Sequence, residues 1–230
     1  MLILREILKN GLTHAPTGLL EIITNYSVLR SSTNRLLPDD LAVISKGELY
    51  QRAHETLGGD RPILFLEFGV WKGKSLRRWA DINTHAESRF VGFDSFQGLP
   101  EAWRVRPAGY FSTGGQAPDL DDPRVSFVQG WFNQTLKPWL DEEFPQLPAG
   151  LTPVVHIDSD LHSSAIYLLS TLHHVWDRYH VLFDDYSAGE ARALRDYLSA
   201  YNAEFIPLFG RKRRQYSRVP GQVFGEITRR

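Results

Sequence analysis

Residues 66–75 read LEFGVWKGKS. An apolar run stops at Gly69, a second glycine follows at Gly73, and Lys74 and Ser75 open a stretch with helical spacing. A strand that passes through a glycine-bearing turn into a helix leaves the free N–H groups of the helix start facing the turn. Open α/β sheets hold ligands there, beyond the carboxyl ends of their strands. Working outward, nearly continuous apolar runs occupy 63–68, 89–93, 125–129, 154–157 and 181–183. Runs without alternation are expected of parallel strands covered on both faces. Helical stretches at 74–82, 135–143, 163–176 and 189–202 fall between them. Strand and helix in alternation predict an α/β fold: a doubly wound, mostly parallel sheet with helices on both faces.

The 230 residues suit one generous domain. A hydrophobic share of 42%, a charged share of 23% and a net charge of -1 give no general pull toward nucleic acid or anionic lipid, so neither is expected as a partner. The cysteine count is 0, which excludes disulfides, zinc–thiolate centres and thiol nucleophiles, and a cytoplasmic location is the default expectation. The start, MLILREILKNGL, is broken by Arg5, Glu6 and Lys9. It is a poor signal-peptide core and too short to span a bilayer.

Residues 2–30 space Leu, Ile and Val by three and four around a break at 11–18, which predicts two short amphipathic helices. They belong to an N-terminal helical segment, 1–60, ahead of a main domain at 61–230, with a dimer contact or lid as roles beyond core packing. A homodimer is the base-rate expectation. Residues 103–124 are rich in Gly, Pro and Asp and long for a strand-to-helix connection, as a lid would be. The basic run at 211–214 reads as a solvated turn between late strands.

The second predicted strand ends at Asp94, about twenty residues beyond Gly73, where an acid accepts both hydroxyls of a ribose. The alternative is a turn residue, since Ser95-Phe96-Gln97-Gly98 is itself turn-like. Phe68 and Glu67 break the GxGxxG pattern that a diphosphate needs. A cofactor with a ribose and an amino-acid tail but no phosphates fits better. S-adenosylmethionine is such a molecule: Glu67 would orient its cationic amino end and Asp94 its ribose.

Residues 156–162, HIDSDLH, gather Asp158 and Asp160 at the end of one strand, and Asp184 and Asp185 end a neighbouring one. If extended geometry continues, Asp158 and Asp160 point the same way. Carboxylates so crowded repel unless a cation or a proton intervenes. A divalent ion such as Mg²⁺ would relieve the repulsion and bind a substrate hydroxyl, whose lowered pKa would let a carboxylate take its proton. Asp160 is the candidate base and His162 its alternative. Helix capping is the bland explanation for one such acid. His156 is read as out of phase with Asp158 and as a satisfied interior or interface side chain, while His173 and His174 are placed mid-helix without chemistry.

The order LEFGVWKGKS, VGFDSFQGLP, FVQGWFNQTL, HIDSDLHSSA, LFDDY resembles the macrocin O-methyltransferase (TylF/MycF-type) family of class I S-adenosylmethionine-dependent enzymes, over roughly 60–200. The resemblance implies a Rossmann-like fold and methylation of a small-molecule hydroxyl, often on a sugar or other natural product. It implies cofactor contacts by Glu67, Gly69, Gly73, Ser75, Asp94, Ser95 and Asp158, with Gly130, Trp131 and Phe132 near the adenine end. It further implies magnesium ligands at Asp158, Asp184 and Asp185, and the base at Asp160. His162 stands where the family commonly has Tyr, and Trp176-Asp177-Arg178-Tyr179 where it often has Gly-Gly. The rival readings are a nicotinamide-dependent oxidoreductase and a cofactor-binding subunit without catalysis.

Overall fold

The computed structural model describes residues 42, 43, 45–211 and 220–230. The predicted helices within 2–30 and the basic run beyond Arg211 lie outside these residues. In chain order the elements are β1 (Ala42–Val43), α1 (Lys46–Thr56), β2 (Ile63–Phe68), α2 (Lys74–Ile82), β3 (Arg89–Asp94), β4 (Val125–Gln129), α3 (Phe132–Glu142), β5 (Thr152–Ile157), α4 (His162–Leu172), β6 (Arg178–Phe183), α5 (Ala191–Ala200), β7 (Ala203–Arg211) and β8 (Gln222–Arg229). A wide π-type turn, Tyr186–Glu190, leads into α5.

The sheet order is β1-β7-β8-β6-β5-β2-β3-β4. Its strands run parallel, except that β8 is antiparallel to both β6 and β7. From β2 the chain winds to one edge through β3 and β4, then returns to β5 beside β2. This reversal opens a crevice at the carboxyl ends of β2 and β5, where doubly wound sheets bind ligands.

The alternation of each strand separates two apolar cores. Leu64, Leu66, Phe68, Val155, Ile157, Val181 and Phe183 pack with side chains of α3, α4 and α5. Ile63, Phe65, Val154 and Leu182 face the other way, onto α1 and α2 through Leu49, Tyr50, Ala53, Leu76 and Trp79. By the same parity Glu67, His156 and Asp184 belong to the α1/α2 side, and β2 and β5 are in register with Glu67 opposite His156. Ser45 caps α1, its Oγ accepting from the Glu48 N–H at 3.0 Å.

Two expectations need correction. Helix α4 stops at Leu172, with His173 at its C-cap, so His173 and His174 are not mid-helix; His173 instead approaches the Tyr197 hydroxyl at 2.9 Å. Extended geometry does not continue to Asp160, whose φ is +61°, so Asp158 and Asp160 do not share a direction. The long loop is knitted in place: the Gly109 N–H donates to Leu99 O, the Leu99 N–H to Tyr110 O, and the Thr113 and Gly115 N–H groups both to Phe96 O. Leu99 and Trp103 bury themselves against Leu161, with Phe111 alongside. Pro118 reaches Gly73 on the way back to β4.

Candidate active site

A cavity of about 1080 Å³ opens at the carboxyl ends of β2, β3, β5 and β6. That is room for a nucleoside-sized molecule and a second small one. Gly69, Trp71, Ser75, Asp94 and Ser95 line one side, Trp131 and Phe132 the next, and Asp158, Asp160, Asp184 and Asp185 the floor. Non-glycine residues with left-handed φ among the described residues are Trp71, Phe96, Arg104, Phe111 and Asp160, and all but Phe96 line this cavity. Backbone strain of this kind collects where a site must be held in an unusual shape.

The glycine turn owes its shape to backbone contacts. A Cβ on Gly69 would lie 2.0 Å from the Asp158 carbonyl oxygen, so the turn runs directly against the end of β5. Asp94 Oδ2 accepts the N–H groups of Val70 and Trp71, each at 2.8 Å, and Oδ1 accepts the Phe96 N–H at 2.7 Å. Asp94 is therefore the turn residue of the alternative reading, yet it lines the cavity and retains acceptor capacity for a hydroxyl. Glu67 and Gly73 do not line the cavity. Glu67 is fully buried and accepts the Ser75 hydroxyl at Oε1, so it braces the turn from beneath. The Gly130 N–H donates to Asp94 O at 3.0 Å, setting the approach of Trp131 and Phe132.

Asp184 sits among cations. Lys46 Nζ lies 2.7 Å from its Oδ1, and the Gln222 amide donates to the same oxygen. His156 bridges Glu67 and Asp184, with Nδ1 3.0 Å from Glu67 Oε1 and Nε2 3.5 Å from Asp184 Oδ1. Burial opposes a charge on His156, but its two carboxylate neighbours outweigh burial and hold its pKa up at about 9. Burial would likewise raise Asp184, and His156 and Lys46 reverse that and hold it well below the usual carboxylate range. His156 and Asp158 are two residues apart and share a strand face, which corrects the out-of-phase reading.

Asp185 has a different environment. Its backbone N–H donates to Glu190 Oε2 at 2.9 Å, and its carboxyl is hydrogen-bonded to Asp160. Burial, then that hydrogen bond, then the charge of Asp185 push Asp160 up to about 9, while Arg106 pulls the other way. Asp160 therefore keeps its proton at neutral pH, hydrogen-bonded to the Asp185 carboxyl. His162 does not join this pair. Its Nε2 is 3.0 Å from Asp196 Oδ2 on α5, and it does not line the cavity.

Magnesium takes oxygen donors and keeps several waters. The groups whose ligand atoms come within 4.8 Å of one another among the described residues are His156, Asp158 and Asp184, not Asp158, Asp184 and Asp185. One of these is an imidazole held protonated, and another is a carboxylate already paired with Lys46. As arranged, the residues do not fit the ion.

A family model described as a methyltransferase domain matches residues 66–186, more than half of the chain. The search of curated proteins returned no match. Among solved structures, the O-methyltransferase NovP is similar over 80% of this chain and 79% of its own, at 22% identity and a TM-score of 0.55, a likeness of fold. Weaker likenesses are an O-methyltransferase from Bacillus cereus in complex with SAH, at 14% identity, coverage of 90% of each chain and a TM-score of 0.49, and TomG from Streptomyces achromogenes in complex with SAM, at 16% identity, coverage of 90% and 89% and a TM-score of 0.46.

Proposed function

This chain belongs to the methyltransferase-domain family and is an S-adenosylmethionine-dependent methyltransferase, and on that premise we propose that it methylates a hydroxyl oxygen of a small molecule. The observation that carries the reading is the Asp160–Asp185 pair in the floor of the cavity, with Asp160 on a left-handed backbone. A proton acceptor is what an alcohol needs before it attacks a methyl sulfonium, and Asp160 becomes one when it gives up the proton it holds up to about pH 9.

S-adenosylmethionine, when bound, supplies an activated methyl group on a sulfonium. The glycine turn, locked by Asp94, would seat its ribose, and the remaining lone pairs of Asp94 would accept ribose hydroxyls. Trp131 and Phe132 would cover the adenine. On the acceptor side Trp71, Trp103, Phe111 and Tyr167 supply ring faces, which supports a flat or cyclic acceptor such as a sugar or another natural product of the macrocin type. Once it has released its own proton, Asp160 would take the acceptor's proton, and Asp185 would hold Asp160 in place. The chain's contribution is alignment of the two reactants and exclusion of water. A magnesium-assisted variant, with Asp158, Asp184 and Asp185 as ligands, would require Lys46 to leave Asp184 and Asp185 to leave Asp160, so no step is routed through a metal.

Calorimetric titration with S-adenosylmethionine and, separately, with NADH tests the reading. Binding of the first alone is expected. Binding of NADH alone would replace the proposal with the oxidoreductase. Methyl transfer to no member of a panel of phenols, sugars and hydroxy acids, with S-adenosylmethionine bound, would favour the non-catalytic subunit.

A further inference from the structure

We propose that Lys46 is a built-in counter-cation for the Asp158/Asp184 corner, so that this enzyme binds no divalent ion there and turns over without one. The inference rests on the methyltransferase reading for the turnover half and on geometry alone for the metal half.

Carboxylates gathered at a strand end need positive charge. Here two side chains bring it. Lys46 reaches in from the first turn of α1, and its Nζ stops 2.7 Å from Asp184 Oδ1. His156 reaches the same oxygen from β5 at 3.5 Å. The Lys46 side chain is 38% exposed, but its base is fixed. Ser45 caps the helix that carries it, and Leu49, Tyr50 and Ala53 lock that helix on the sheet with at most 1% exposure. One helical turn on, the Tyr50 ring lies 5.7 Å from Nζ and steers the stem toward the site. Burial works against the ammonium, but Asp184, together with weaker contributions from Tyr50 and Asp158, holds it charged far beyond the ordinary lysine range. A divalent ion placed between Asp158 and Asp184 would meet this ammonium and the bridging imidazole at short range. Either the ion or the lysine can occupy the corner, and the chain encodes the lysine.

Mn²⁺ is the probe. The full chain, its Lys46→Met variant and its Lys46→Arg variant are titrated with Mn²⁺ by electron paramagnetic resonance, with circular dichroism to confirm folding. The wild type and Lys46→Arg are expected to bind Mn²⁺ at least about tenfold more weakly than Lys46→Met, because only the last removes the charge. Turnover of the wild type is expected to stay within about twofold after EDTA treatment, since no step needs the ion. Tight Mn²⁺ binding by the wild type overturns the proposal, with or without a folded Lys46→Met protein. So does abolition of turnover by EDTA that added Mg²⁺ restores. Failure to bind S-adenosylmethionine in a separate titration would defeat the functional reading and leave the Mn²⁺ result standing.

Discussion

Asp184 and Asp185 are adjacent in sequence and live in opposite electrostatic worlds. Asp184 continues the alternation of β6 toward α1 and meets Lys46, His156 and Gln222. Asp185 turns toward Asp160 and meets another carboxyl, with Glu190 behind its backbone. The first acid is compensated by fixed cations and stays ionised. The second faces a carboxyl, Asp160, that keeps its proton. Charge crowding at a sheet edge therefore has two remedies, and the face a side chain takes decides which is in reach. The cation side is built for permanence, and the proton side for exchange.

The sharpest way to break the contrast is to fix the exchangeable proton. Asp160→Asn should lower turnover by about 10²–10⁴-fold and leave the dissociation constant for S-adenosylmethionine unchanged. Asn tolerates the left-handed backbone at this position. Because it needs no proton, the variant should also unfold at higher urea concentration at pH 8, by on the order of 1–3 kcal/mol. A variant with full turnover would remove Asp160 from the chemistry.

On the permanent side, His156→Leu deprives the buried Glu67 and Asp184 of their shared partner. A loss of roughly 3–5 kcal/mol of stability is expected, read from the denaturation midpoint. A neutral result would mean that Lys46 and Ser75 suffice to hold those carboxylates.

The two sides should also separate along the pH axis. Asp160 keeps its proton up to about 9 in the fold, whereas the unfolded chain loses it near the ordinary carboxylate value, so stability falls as pH rises through that whole window. His156, raised to about 9, contributes stability fully below the ordinary imidazole value, and that contribution is lost as pH rises through about 9. Each group adds a slope of at most about 1.4 kcal/mol per pH unit within its own window. Turnover should move the other way, rising toward pH 9 as the carboxyl pair gives up its proton. Urea denaturation at several pH values checks this: Asp160→Asn should remove the slope below neutral pH and leave only the His156 share of the slope between neutral pH and about 9. A flat profile in the wild type would refute both assignments.

The smallest expected effect is at Arg106, whose guanidinium faces the rings of Trp103, Tyr110 and Phe111 and lowers Asp160 slightly. Arg106→Ala should move the pH limb of turnover upward by less than about one pH unit. An unmoved limb would place Arg106 out of electrical contact with the base.

Much of this was legible in the residues alone. The apolar runs at 63–68 and 125–129 match β2 and β4 to the residue; β2 is buried on both faces, while β4 is half-exposed at the sheet's edge. The glycine turn and the acids at the strand ends were visible because they interrupt apolar runs. What the strand ends could not show was distance. Lys46 is 138 positions ahead of Asp184 in the numbering, and it reaches the site only because α1 lies on the sheet. The role of His156 was available in principle, since its two-residue spacing from Asp158 puts both on one face, and its register opposite Glu67 completes the bridge. His162 misled through proximity: starting α4, it points along that helix to Asp196 on α5 rather than into the cavity. The left-handed turn at Asp160 had no sequence signal, as aspartate visits that region without glycine's help.

The antiparallel strand β8 has a kinetic consequence. It joins β6 across pairs such as Val181 with Gly225 and is the described strand that links β7 to the rest of the sheet. A strand that must slot between two others cannot pair until both are nearby, and such remote pairings form late. Refolding followed by pulse-labelled hydrogen exchange should therefore protect the amides of β2, β3 and β5 before those of β7 and β8. The carboxylate that takes the Gln222 amide would be among the last to acquire its full set of neighbours.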